Sequence, residues 1–228
     1  MHRVTRNILV LVGAMALIAA ACSPPPPDDG SYIDRLLSDR TAKDEWFTTG
    51  SDSPVPLDRR SWMLPLRYYN PDLAFRVPAK LLIEEEQPVF EIPTSTGQLR
   101  QMQRVGKLVF ALNSEPRTLS AFVELPAQTI NRLFVPFRDE TNLAETYPSG
   151  RYMDLDRTPT GIYDLDFNLA YHPYCYYDEQ YDCPYPPLEN RLSIAVRAGE
   201  KLPPEEERRF PIIAPEPLTP KQSEPTGP

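Results

Sequence analysis

The 228-residue chain has two histidines, His2 and His172, and three cysteines. A zinc site built from several histidines is therefore excluded, and so is a four-cysteine structural zinc site. Only His172 could serve a Ser-His-Asp arrangement, and it precedes Pro173 in an aromatic loop; no G-x-S-x-G nucleophile turn occurs. His172 is read as a packed or surface loop residue. The nine glycines never form a phosphate-cradling loop, which removes the common nucleotide-binding fingerprints. Basic residues are also short, 24 Lys and Arg against 32 Asp and Glu, for a formal charge of −8. A nucleic-acid partner is excluded, because backbone phosphates would be repelled over most of the surface. The chain shows no repeat of fixed period and no sign of a doubly wound α/β pattern, and nothing in it requires a cofactor.

What is present begins at the N-terminus. Arg3 and Arg6 precede an uncharged apolar run from Ile8 to Ala21, and small residues Ala19, Ala20 and Ala21 stand before Cys22. The run is too short for a permanent span, and the pattern predicts a lipoprotein signal peptide over 1–21, with Cys22 lipidated after cleavage. Loss of Arg3 and Arg6 would take the formal charge to about −10. The expected address is the cell envelope: an anchor in the membrane through the lipid on Cys22, on the outer membrane or periplasmic side if there are two membranes and on the extracellular face otherwise. Proline supplies 28 residues, more than twice the usual ~5%. Prolines crowd at 24–27 and 203–228, predicting a tether over 22–30 and a disordered tail over 202–228 that is either a passive extension or a docking segment for a partner protein.

Tyr32, Ile33, Leu36 and Leu37 fall at helical spacing behind Ser31, predicting a short amphipathic helix of two to four turns, up to about Phe47, that covers a sheet, within a lead-in over 31–67. From Leu73 the period changes to two, and Pro78 marks an edge or bulge. Strands are expected at Leu73–Ile83, Pro88–Ile92, Leu99–Leu112, Thr118–Leu125, Leu133–Phe137, Tyr152–Asp156, Ile162–Phe167 and Leu192–Ala198. The fold class is mainly β, an antiparallel meander forming a sandwich or partly open barrel over 68–201, in a monomer.

Two features invite chemistry. Cys175 and Cys183, an even pair in an exported protein, are expected to form a disulfide; a reactive thiol or a two-cysteine metal site is the alternative. Tyr152–Asp156 and Ile162–Phe167 are expected to pair as a hairpin, which puts Asp154, Asp156, Asp164 and Asp166 on one face. Solvent, a neighbouring Arg or Lys, or a hard cation such as Ca²⁺ would have to relieve their repulsion.

The segments Phe137-Arg138-Asp139-Glu140-Thr141-Asn142, Glu145-Thr146-Tyr147, Gly150-Arg151-Tyr152, Asp166-Phe167-Asn168, Asn190-Arg191-Leu192 and Ala198-Gly199-Glu200 resemble the motifs of a bacterial domain-of-unknown-function family numbered 1684. The resemblance runs from about Tyr68 to Lys201 and brings no activity with it. It implies a shared polar set, Asp139, Thr141, Asn142, Glu145, Tyr147, Arg151, Asp166 and Asn168. Leu143 stands where the family commonly has glycine, implying a reshaped turn, and His172 where asparagine is common. The set admits two readings. In one, Asp139 and Asn142 cap a turn and Glu145 pairs with Arg151, a purely structural network. In the other, Asp139, Glu145 and Asp166 converge with Arg151 in a cleft, binding a small ligand or envelope component, or serving as catalytic acid and base in an envelope hydrolase.

Overall fold

Residues 29–126 and 131–208 are described by a computed structural model of the chain. The signal peptide, Cys22, most of the tether and the tail beyond Arg208 lie outside the described residues. The chain divides between Asp34 and Arg35, and the second unit carries the sheet. Helix α1 (Asp29–Thr49) starts before Ser31 and runs longer than the spacing of its apolar residues suggests. A single turn, α2 (Arg60–Met63), follows.

The strands are β1 (Arg67–Tyr68), β2 (Arg76–Ile83), β3 (Val89–Pro93), β4 (Leu99–Leu112), β5 (Glu115–Glu124), β6 (Arg132–Phe137), β7 (Arg151–Asp156), β8 (Ile162–Asp166) and β9 (Glu200–Lys201). The antiparallel sheet has the order β7-β6-β5-β4-β2-β8, with β3 added to β4, and curls into a nearly closed barrel. The strands β1 and β9 pair separately. Two residues with left-handed backbone, Asn113 (φ 54°) and Ser114 (φ 64°), make the tight β4–β5 turn whose twist matches the strands. One edge of the long β4 is shared between β2 and β3, and a bulge between Arg104 and Gly106 re-aims it. Gly106 is required there: a Cβ would stand 2.2 Å from the Leu82 carbonyl oxygen. Pro78 is tolerated because β2 pairs only with β8 at that position, and pairing with β4 begins at Ala79.

Leu108, Leu119, Val135, Phe137, Leu165 and Phe167 fill the barrel, fully buried. Burying each contributes about 1.5–3 kcal/mol. A second cluster, Phe47, Val55, Met63, Leu66 and Tyr177, packs the C-terminal half of α1 against the lead-in and the tyrosine-rich loop.

Four expectations are corrected. Leu73–Phe75 is a 3-10 turn capped by Asp72, so the strand begins at Arg76. Leu192–Ala198 is not a strand; it lays Leu192, Val196 and Ala198 over the barrel core, and the carbonyls of Val196 and Ala198 accept from a side chain, Arg151, in place of a neighbouring strand. The strands β7 and β8 do not pair. They are the two ends of the sheet order, and Tyr152 and Tyr171 exchange backbone hydrogen bonds (2.9 and 3.0 Å) across the gap. The tail does not leave the domain at Leu202: that residue is buried, its N–H donates to the Glu145 carbonyl (2.8 Å), and Arg208 donates to the Ala144 carbonyl.

Candidate functional site

The turn between β6 and β7 holds most of the polar set. Arg151 is fully buried at the start of β7 and its guanidinium donates to Asp139 Oδ2 (2.6 Å), the Val196 carbonyl (2.7 Å), the Glu200 carbonyl (3.2 Å) and the Ala198 carbonyl. Asp139 Oδ1 accepts from the Thr141 N–H (2.6 Å) and hydroxyl. Asn142 closes the turn, accepting from the Asp139 N–H (2.8 Å) and donating to Thr146 and the Tyr147 carbonyl. Both side chains of the ion pair are at 0% exposure, so no ligand reaches it. The geometry is that of a lock joining the turn to the loop over the barrel.

Glu145 is not the partner of Arg151. It lies outside the lock, bound bidentately by Arg197 (2.7 and 2.9 Å) and by the Tyr69 hydroxyl (3.0 Å), and the Arg197 guanidinium holds its carboxyl below the usual range. Asp166 caps the turn after β8 through the Asn168 N–H (2.9 Å), and Asn168 clamps both backbone groups of Asp72 (2.8 and 3.0 Å). Asp139, Glu145 and Asp166 are thus each committed to a separate structural bond, with no shared cleft. The remaining aspartates also separate, because their strands sit at opposite ends of the sheet. Asp164 is bound by Arg76 (2.6 Å), Asp156 by Arg132 (3.1 Å) and Asp154 by the Tyr171 hydroxyl (2.9 Å). Among the described residues no group of three or more His, Cys, Asp and Glu is placed to hold a metal ion.

Leu143 has φ +82°, so the turn holds a leucine in the left-handed conformation that favours glycine. His172 is buried; its Nε2 accepts from the Tyr147 N–H (3.3 Å). Burial drives the imidazole down to about 3, against the pull of the Glu200 carboxylate, so it is neutral. Glu200 itself, 1% exposed, accepts from Lys43 of α1 (2.6 Å), the His172 N–H (2.7 Å) and the Tyr177 hydroxyl (3.0 Å). Burial raises its carboxyl, but Lys43 and the other donors outweigh that and leave it lowered.

The accessible chemistry lies elsewhere, in an open cleft of about 700 Å³. Tyr171, Tyr174, Tyr181 and Phe134 present aromatic surface to it, and Lys43, Arg100, Glu124, Asp154 and Asp182 supply charge. Arg100 is held between Asp182 (2.9 Å) and Glu124 (3.3 Å) and Lys43 is paired with Glu200 (2.6 Å), so both cations are already committed and the carboxylates are in excess. Cys183 lies at the cleft wall beside Cys175. The two are free thiols, not at bonding distance, so the expected disulfide is absent from this arrangement. Their titrations are tied together: the bond from Cys175 lowers Cys183, and the same bond and burial raise Cys175.

Sequence reasoning missed this cleft. The available signal was the density of tyrosine between 171 and 185, six of the twelve in the chain. Lys43 and Arg100, distant in sequence, carried no such mark.

Fold and site define a small antiparallel β-barrel domain with a buried polar lock and an external aromatic cleft. The chain belongs to the family described as protein of unknown function (DUF1684), whose pattern matches residues 64–201. Among solved structures it is similar to an uncharacterized protein of Haloarcula marismortui determined by solution NMR. The two are 37% identical, with a TM-score of 0.61, over 77% of this chain and 96% of that one. No curated protein matches.

Proposed function

We propose that the protein is a lipid-anchored envelope module that binds a neutral, polyhydroxylated envelope component, a glycan, in the aromatic cleft. The observation that carries this reading is the cleft itself, about 700 Å³ lined by tyrosines and by carboxylates, with its two cations already paired. Aromatic faces pack against the apolar face of a sugar ring, while fixed carboxylates and tyrosine hydroxyls bond its hydroxyl groups. An anionic ligand gains little from Arg100, which is already paired with two carboxylates. The lipid on Cys22 holds the domain at the membrane, and the proline-rich segment spaces it from the surface. In an oxidising envelope the Cys175–Cys183 pair, adjacent at the cleft wall, closes to a disulfide and stiffens that wall.

Titration with neutral oligosaccharides, followed calorimetrically, tests the reading. Saturable binding that weakens about tenfold in Tyr174→Ala, the loss of roughly 1.4 kcal/mol of stacking, is the expected result. No saturable binding by hexose or N-acetylhexosamine oligomers would sink it. The intact mass of the protein purified from its membrane reads the lipid on Cys22 and the two hydrogens lost on disulfide formation; an unmodified, fully reduced chain would refute both assignments.

A further inference from the structure

The barrel carries a second, smaller concavity of about 300 Å³ on which neither the lock nor the cleft draws. Two arginines stand at it. Arg138 follows β6 and Arg191 follows the 3-10 turn at Leu188–Asn190, and a parallel bridge joins their backbones, with the Arg138 N–H bonded to the Asn190 carbonyl (2.9 Å) and the Leu192 N–H to the Arg138 carbonyl (2.8 Å). Paired residues in a parallel bridge send their side chains to the same side, so two cations are set next to one another. Among the described residues neither guanidinium has an ion-pair or side-chain hydrogen-bond partner, whereas Arg76, Arg100, Arg104, Arg132, Arg151 and Arg197 are all bound to carboxylates. Burial and the like charge of Arg191 push the Arg138 guanidinium down, and no acid offsets them.

A half-buried cation beside a second, exposed cation, with no acid bonded to either, is an arrangement that an incoming anion would relieve. The rest of the wall is mostly apolar, with Phe90, Ile92, Phe122, Pro186 and Leu188, and Ser149 and Tyr185 add hydroxyls. Exposed Glu91 and Glu189 border it, and Glu189 is already held by Arg104 (2.8 Å). Two arginines against one uncommitted rim carboxylate favour a single negative charge over a doubly charged phosphate ester. Planar guanidinium forks match the two oxygens of a carboxylate.

We propose that this concavity binds a small organic carboxylate, its carboxyl group between Arg138 and Arg191 and its apolar body against Phe90, Ile92, Phe122 and Leu188. The site is separate from the glycan cleft and does not depend on it.

Calorimetric titration of the full chain with octanoate is the test, with acetate, octan-1-ol and octyl phosphate as companions. Octanoate should bind one-to-one, and acetate, which lacks the body, and octanol, which lacks the charge, at least tenfold more weakly. Arg138→Gln and Arg191→Gln should each weaken octanoate at least tenfold while leaving the unliganded Tm unchanged or raised, since each substitution relieves the repulsion. Tyr174→Ala should leave octanoate binding as it was. The proposal fails if octanoate shows no saturable heat, if octyl phosphate binds more tightly, if the arginine variants bind as the parent does, or if Tyr174→Ala removes binding. A clear fall in Tm for either arginine variant would make the guanidiniums structural and overturn it equally.

Discussion

Replacing His172 by Asn should flatten the pH dependence of stability near neutrality. In the folded chain the imidazole is 2% exposed, and burial lowers it to about 3 from an ordinary 6.5, with Glu200 pulling the other way and Arg151 and Lys43 adding to the fall. Glu200 cannot rescue the charged form, because its oxygens are already shared among Lys43, Tyr177 and the His172 N–H, and it stands 3.8 Å from Nδ1. The folded state therefore stays unprotonated while the unfolded chain takes up a proton as the pH falls below 6.5. Stability is complete above that value and is lost progressively toward 3. Between about pH 7.5 and about pH 5.5 the loss works out at about 1.4 kcal/mol. The other titrating groups are common to the parent and the variant, so the difference between the two slopes reads the imidazole alone. Urea denaturation at several pH values, with the parent and His172→Asn side by side, measures it. The shorter Asn side chain does not reach the Nε2 position that accepts from the Tyr147 N–H (3.3 Å), a cost that is the same at every pH and leaves the comparison of slopes intact. Equal slopes for the two proteins across that window would refute the argument that a neutral, buried imidazole is the titrating group.

Breaking the lock should be far more costly. Asp139→Asn leaves Arg151 charged at 0% exposure and should destabilise by about 3–5 kcal/mol, measured as a fall in urea midpoint with the slope unchanged; a loss below about 1 kcal/mol would mean that water or another anion reaches the pair. Leu143→Gly should do the opposite. The residue is about half exposed at φ +82°, so removing the side chain relieves roughly 1–2 kcal/mol of left-handed strain against a smaller entropic cost, and a raised Tm is the expected outcome. An unchanged or lower Tm would show that Leu143 packing outweighs its backbone strain.

The polar motif was legible as a set and not as a function. Asp139, Thr141, Asn142 and Arg151 stood out because they match the motifs of the family, and they do form one network. Whether that network faces solvent depends on the loop Leu192–Ala198, which lies over it and supplies carbonyls to Arg151; no local pattern announces such a cover. Glu145 was assigned the wrong arginine for the same reason. Its partner, Arg197, is 52 residues away, and nearness along the chain favoured Arg151.

The sequence by itself determined what local chemistry controls. Alternation of apolar and polar residues specified β2 to β8 to within a few residues, since each strand has one face in the barrel and one outside. Helical spacing located α1. Scarcity of histidine and glycine removed whole classes of catalysis. Tertiary structure decided everything that depends on which strand lies beside which. Four aspartates that alternate identically along β7 and β8 part company because those strands end the sheet instead of pairing, and the aromatic cleft brings Lys43, Arg100 and Tyr174 together from three distant stretches. Strand order follows from closing the barrel around one core, a global minimum of exposed apolar surface, and a residue's neighbours within its own segment carry no record of it.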